Sequence, residues 1–107
     1  MSEMAVSQAR EHLAEVTTML QTWQSGRDRM RRYDSALIPL AAERTQAALT
    51  AYRGGSGTLA SVLEARRMAL DTQMDRLRLD MDTARIWAQL NYLIPVAHDV
   101  AMPVLDR

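Results

Sequence analysis

Cysteine, lysine and phenylalanine are absent from the 107 residues of this chain. Without cysteine, the chain can form neither disulfides nor thiolate metal sites. Its four glycines and three prolines are too few for the frequent turns of a strand-rich protein. No stretch reaches the roughly 20 apolar residues that a membrane-spanning helix requires. Leucine, alanine and methionine, which are good helix formers, supply most of the apolar residues, so the composition predicts an all-α protein.

The charges balance, because thirteen arginines accompany thirteen acidic residues. Nucleic-acid-binding domains normally carry a basic excess, and the formal net charge of this chain is zero. Arginine also suits protein interfaces, since its guanidinium can pair with a carboxylate through two hydrogen bonds. We therefore expect no nucleic-acid partner and no direct insertion into a membrane.

A long first helix is predicted from about residue 7 to residue 53. Its first part carries apolar residues spaced three, four and three apart, the pattern of a coiled-coil seam. Pro39 lacks a backbone N–H and crowds the carbonyl four residues earlier, so we expect a kink or break over residues 35–39. The seam residues of the first part are Leu13, Val16, Leu20 and Trp23.

The strongest break in the chain is the Gly-Gly-Ser-Gly turn at residues 54–57. Either of its first two glycines suits the left-handed position that follows the end of a helix. Ser56 or Thr58 can cap the next helix, and the spacing of Ser61 and Glu64 offers a competing start. The sequence therefore predicts two helices joined by a tight turn.

The second helix is predicted from about residue 58 to residue 94, with Pro95 ending it and an irregular tail over residues 95–107. A heptad seam runs along most of this helix. A second apolar stripe near its end indicates that the helix touches more than one neighbour. The seam consists of Leu63, Arg67, Leu70, Met74, Leu77, Met81, Ala84 and Ala88, and the second stripe of Trp87, Leu90 and Ile94.

A single domain of this kind, spanning residues 1–107, is a long antiparallel hairpin with little core of its own. We therefore expect self-association, as a homodimeric four-helix bundle, or insertion into a larger helical assembly. The expected self-association seam contains Leu13, Val16, Leu20, Trp23, Leu70, Met74, Leu77 and Met81.

No catalytic, cofactor or metal site is predicted. His12 and His98 are far apart and lack metal-ligand spacing with acidic residues. The glycine turn lacks the lysine and the preceding strand of a phosphate-binding loop. Eight methionines raise copper binding as a weak alternative. Methionine at heptad spacing is usually core filling, however, as at Met74 and Met81. The chain is therefore not expected to be an enzyme.

Three ordered segments resemble the outer-membrane efflux protein family, the TolC-like outer-membrane factors. Residues 33–41 look like its Y-x-x-x-L-x-P-x-A segment. Residues 51–67 are similar to its second hairpin tip, where a tyrosine ends one helix and a glycine turn and V-L-[DE]-A follow. Residues 84–94 resemble its final helix. The Leu-Pro and Leu-Asn-Tyr-Leu-Ile-Pro segments look most like the heavy-metal branch.

The resemblance implies a role in efflux. Members of the family are trimeric channels with a β-barrel and a periplasmic α-barrel of packed hairpins, whose tips meet an adaptor protein. Tyr52 would then be a gate-region residue. Some members carry a basic residue at the position of Gly57, which takes part in gating contacts there. The implied adaptor-contact tip consists of Gly54, Gly55, Ser56, Gly57, Thr58, Leu59, Val62 and Leu63.

The chain also departs from the family, because complete members have two repeats, barrel strands and a signal sequence. We expect a truncated or excised repeat, or a small gene product derived from one, that cannot form a channel by itself. The polar start at Ser2 and Glu3 resembles no export signal, so the chain as given is expected in the cytoplasm. The alternative is a stand-alone coiled-coil scaffold with no transport role.

Overall fold

The computed structural model describes residues 2–93, and they form an all-α helical hairpin. Helix α1 spans Glu3–Arg32, a π-helical turn spans Tyr33–Leu37, and helix α2 spans Ile38–Arg53. Helix α3 spans Leu59–Leu93. No strand occurs within residues 2–93. The predicted fold class, a long antiparallel hairpin with a kink in its first arm, is confirmed.

The start of the hairpin differs slightly from the sequence prediction. Helix α1 begins at Glu3 and not near residue 7, because Ser2 caps it. The backbone N–H of Ala5 donates to Ser2 Oγ at 3.3 Å and lies 3.2 Å from the Ser2 carbonyl oxygen. The predicted helix end near residue 94, the irregular tail and His98 lie outside the described residues.

The kink before Pro39 takes the form of a π-helical turn. An α-helix would direct a hydrogen bond from residue 39 to the carbonyl of Ser35, and proline has no N–H to donate. The backbone N–H of Ile38 instead donates to the carbonyl of Tyr33, five residues earlier. The wider turn makes room for the proline ring and keeps the chain helical, so the first arm bends without breaking.

The π turn also keeps one side of the first arm facing α3. Before it, the partly buried positions follow a spacing of three and four, and Met30 and Tyr33 end that series. The next partly buried residue is Ile38, five positions later, and the spacing of three and four then resumes. In an uninterrupted α-helix one extra residue would rotate the later positions by about 100°, and the wider π turn offsets that rotation. The partly buried or buried positions are Val16, Met19, Trp23, Gly26, Met30 and Tyr33, followed by Ile38, Ala41, Thr45, Ala48, Leu49 and Ala51.

Helix α3 packs through a regular seam whose first part, up to Thr72, has small side chains. The heptad period is as predicted, but the buried positions lie one or two residues before the predicted ones. Val62 is only 4% exposed, whereas the neighbouring Leu63 is 59% exposed. The buried and half-buried positions are Val62, Ala65, Ala69, Thr72, Arg76, Leu79, Thr83, Ile86, Leu90 and Leu93.

The described chain divides into two compact units, one of residues 2–26 with 82–93 and one of residues 27–81. The first unit is centred on a close helix approach at Gly26, because a methyl group there would overlap the hydroxyl of Thr83. Trp23 and Trp87 stack beside it, with ring centroids 5.0 Å apart and planes inclined by 30°. Glycine is a poor helix former, and at position 26 it allows the two helices to meet.

The second unit is held by polar contacts as well as by Val62. Thr45 Oγ1 lies 3.3 Å from the carbonyl oxygen of Ala65 on the opposite helix. Arg76 donates two hydrogen bonds to Asp34, from Nε to Oδ1 at 2.9 Å and from Nη2 to Oδ2 at 3.0 Å. These contacts set which residues of the two arms lie at the same height.

Candidate interaction surfaces

The glycine turn is a hydrogen-bonded helix cap in which one residue needs glycine. Gly55 has a φ of 82°, a left-handed conformation that side-chain-bearing residues rarely adopt. Its backbone N–H donates to the carbonyl of Tyr52 at 3.1 Å, and that of Ser56 donates to the carbonyl of Ala51 at 2.9 Å. This pair of bonds is the Schellman arrangement, so the last carbonyls of α2 are satisfied at the turn.

Helix α3 begins at Leu59 and is capped by Thr58, one of the caps predicted from the sequence. The backbone N–H of Ser61 donates to Thr58 Oγ1 at 3.1 Å, and that of Val62 lies 3.4 Å from the Thr58 carbonyl oxygen. Gly57 packs tightly against α2, because a Cβ there would lie 3.0 Å from the Cβ of Ala51 and 3.1 Å from the Tyr52 nitrogen. A longer side chain at position 57 would therefore require the turn to shift.

The predicted tip residues divide into exposed and buried ones. Tyr52 is exposed, and Leu59 is 52% exposed and Leu63 59% exposed, so all three are accessible to another protein. Val62 is directed into the hairpin, where it supports the turn from inside. The remaining tip residues are Gly54, Gly55, Ser56 and Thr58, which are exposed, and Gly57, which is half-buried.

The predicted self-association seam also divides between the inside and the outside of the fold. On α1, Val16 and Trp23 are half-buried, and Leu13 and Leu20 are exposed. On α3, all the predicted seam residues are exposed, and Leu70 is 61% exposed. We call the apolar residues on this exposed face of α3 within residues 27–81 the outer stripe. The outer stripe consists of Leu63, Leu70, Met74, Leu77 and Met81.

A groove of about 840 Å³ lies between the two arms of the second unit. Its apolar surface comes mainly from Leu37, Leu40 and Met68, all of which are exposed. This groove was not predicted from the sequence, although Leu37, Leu40 and Arg44 are spaced three and four apart and the opposing acids follow a helical spacing as well. The groove is lined by Tyr33, Leu37, Leu40, Ala41, Arg44, Ala60, Ser61, Glu64, Ala65, Met68, Asp71, Thr72 and Asp75.

The best-connected charged pair of the second unit is Asp34 with Arg76. Hydrogen bonding from Arg76 lowers the pKa of Asp34, desolvation opposes this shift, and the positive charge of the guanidinium adds to it. The same hydrogen bonding raises the pKa of Arg76. Arg76 Nη1 also lies 3.3 Å from Asp80 Oδ2, so the guanidinium pairs with two carboxylates. Its charge is therefore paired although Arg76 occupies a half-buried position of the α3 seam.

Within residues 2–93, no group of three or more histidine, cysteine, aspartate or glutamate side chains is arranged to hold a metal ion. His12 is an exposed residue of α1. Met68 lines the groove, whereas Met74 and Met81 belong to the outer stripe, so the structure does not bring these thioethers to one place. None of the described helices is both long and apolar enough to span a membrane.

No protein-family model, curated protein or solved structure matches the chain significantly. The fold itself defines the class, an all-α helical hairpin. The accessible apolar features of the second unit include the leucines of the tip, the outer stripe and the groove.

Proposed function

We propose that this chain is a hairpin of the kind that builds the periplasmic wall of outer-membrane efflux channels, and that it has no catalytic step of its own. The likeness of its three motifs to that family motivates the proposal. The observation that carries it is the tip, where a hydrogen-bonded glycine turn presents the exposed leucines Leu59 and Leu63. Exposed apolar residues on a well-ordered turn are suited to contact with another protein.

The two apolar surfaces of the second unit also support a wall segment. A hairpin in a helical wall has neighbours on more than one side, and each neighbour must cover apolar surface. The groove and the outer stripe are different faces of the hairpin, because Met68 lines the groove and Leu70 does not. A hairpin that acted alone would leave both faces in water, at a cost of roughly 25 cal/mol per Å² of exposed apolar area.

The side chains proposed to contact the adaptor are not the ones that hold the hairpin together. Leu59 and Leu63 are accessible, and Val62 between them holds the hairpin together. Gly57 packs against the last turn of α2, so the backbone of the turn, and not a basic side chain at this position, would face the adaptor. The chain would contribute this tip to a larger channel and would form none by itself.

The test measures binding of the 107-residue chain to a purified periplasmic adaptor of a heavy-metal efflux pump, by biolayer interferometry. Leu59→Asp and Leu63→Asp should each weaken binding at least tenfold. Leu13→Asp, at an exposed leucine of the other compact unit, is the matched control and should leave binding unchanged. Absence of binding, or equal losses in all three variants, would remove the support for the efflux proposal.

The second candidate function is a stand-alone coiled-coil scaffold, and the outer stripe favours it. Five large apolar side chains follow one face of α3 without cover from the hairpin, as in a helix that pairs with another helix. In this case the chain would form oligomers through Leu70 and Leu77, and Leu70→Asp with Leu77→Asp would lower the number of chains per oligomer. An oligomer size that the double variant leaves unchanged would count against the scaffold.

A further inference from the structure

The groove has walls of opposite charge. Arg44 stands on the α2 wall, and Glu64, Asp71 and Asp75 stand on the α3 wall. Asp75 lies 3.6 Å from Arg78 of its own helix. Within the described residues, Arg44, Glu64 and Asp71 form no ion pair. The groove therefore combines an apolar surface with unpaired charges of both signs, which makes it complementary to itself.

Arg44 and Glu64, on opposite walls, lie at nearly the same height along the hairpin. The 3.3 Å contact between Thr45 Oγ1 and the Ala65 carbonyl oxygen sets residue 45 level with residue 65. Because the arms are antiparallel, Arg44 is then level with residue 66, two residues from Glu64. At 1.5 Å per residue, the offset between Arg44 and Glu64 is about 3 Å along the axis, which a long arginine side chain easily covers.

From this arrangement we infer that the groove binds a second copy of the chain, face to face, around a two-fold axis parallel to the helices. This operation places α2 of each copy over α3 of the other, at the same height and antiparallel. Arg44 of each copy then meets Glu64 of the other copy in two equivalent ion pairs. Leu37, Leu40 and Met68 of both copies are covered next to these pairs, on the side away from the glycine turn.

The charges select this dimer over the most similar alternative. Turning the second copy end for end, about an axis across the helices, would set α3 against α3. Glu64, Asp71 and Asp75 of the two copies would then face one another, and like charges across an interface are strongly disfavoured. Apolar contact supplies most of the affinity, and the ion pairs fix the orientation. The inference goes beyond the proposed efflux role and requires no adaptor.

The proposed dimer can be tested by sedimentation equilibrium of the full 107-residue chain and of two charge-reversal variants. Arg44→Glu alone creates two Glu–Glu contacts in a dimer, and Glu64→Arg alone creates two Arg–Arg contacts. Each variant alone should raise the dimer dissociation constant about tenfold or more. Mixing the two variants in equal amounts forms a heterodimer in which both pairs are again of opposite charge. The mixture should recover the wild-type dissociation constant to within about threefold.

Matched controls lie beside the tested residues in sequence and do not line the groove. Glu43→Arg and Arg66→Glu should leave dimerisation unchanged, alone and mixed, and circular dichroism verifies that every variant stays helical. A monomeric wild-type chain, or reversals that do not recover on mixing, would overturn the inference. Recovery in the Arg44→Glu/Glu64→Arg double variant without recovery in the mixture would indicate a contact within one chain and would also overturn it. The adaptor-binding test is independent of each of these results.

Discussion

Arg76 holds the carboxylate of Asp34 through two hydrogen bonds, from the π turn to α3. The pKa of Asp34 in the folded chain is therefore lower than 3.8, its value without these contacts. A carboxylate with a depressed folded-state pKa stabilises the fold above its unfolded pKa. This contribution is lost as the pH falls through the folded-state value. The Asp34–Arg76 pair is thus a salt bridge between the two arms of the second unit whose stabilising effect depends on pH.

Asp34→Asn should lower the free energy of unfolding at pH 7, because the amide carries no charge to pair with Arg76. The difference from wild type should persist down to about pH 4 and shrink steadily below pH 3.8, where wild-type Asp34 itself becomes protonated. Urea unfolding between pH 2 and pH 7 measures it. Asp28→Asn is the control, since the pair of Asp28 with Arg31 lies within one helix turn. A difference independent of pH would contradict the assignment.

Gly26→Ala should destabilise the first unit by about 1–3 kcal/mol, although alanine is the better helix former. The added methyl group would overlap the Thr83 hydroxyl and press on its Cγ2, so the helices must separate. Chemical unfolding followed by circular dichroism measures the loss. Ser25→Ala, at the exposed position next to it, should change stability by less than about 0.5 kcal/mol. A stabilised Gly26→Ala variant would show that the helices do not meet there.

Gly55→Ala should cost about 1–2 kcal/mol, because alanine resists the left-handed conformation that ends α2. The matched control is Gly54→Ala. Gly54 has a φ of −81°, and an added Cβ there would meet only ordinary contacts, the nearest being the Thr50 carbonyl oxygen at 3.4 Å. The midpoint temperature of thermal unfolding should therefore be clearly lower for Gly55→Ala than for Gly54→Ala. Equal effects would argue against the cap that the structure shows.

Leu90→Ala and Leu70→Ala test which face of α3 packs inside the hairpin. Leu90 is 2% exposed, so its truncation should leave a cavity and cost about 2–5 kcal/mol. Leu70 is 61% exposed, and its truncation should cost less than about 0.5 kcal/mol. Urea midpoints at low protein concentration give both values. If Leu70→Ala were the more damaging variant, the helix would pack in the phase of the outer stripe.

Local chemistry made the turn and the kink predictable. A glycine-rich run and a proline act on the backbone beside them, so their effects can be read from the residues themselves. The type of kink was less accessible, because a π turn and a break both relieve the clash at Pro39. The choice between them depends on whether both sides of the kink continue to pack on α3.

The buried face of α3 was not predictable from residue size. Leucine and methionine mark the strongest heptad pattern, and these residues form the exposed outer stripe. The hairpin closes instead through Ala65, Ala69 and Thr72, which matter because small side chains let two helices approach. The spacing of the apolar residues can be read from one helix alone. Which face of that helix is buried depends on the side chains of the other arm. The groove was missed for the same reason, since its walls come from both arms.

The π turn absorbs one residue of the first arm without changing which of its side chains face α3. Removing one residue there, such as Ala36, would leave Tyr33 and Ile38 four positions apart, the spacing of an ordinary α-helix. Ile38 and Thr45 would therefore still face α3, and Arg44 would stay in the groove. Loss of one codon elsewhere in α1 or α2 would instead rotate all later side chains of that arm by about 100°. The kink is thus the point of the first arm where the gene can lose a residue and keep both surfaces of the hairpin.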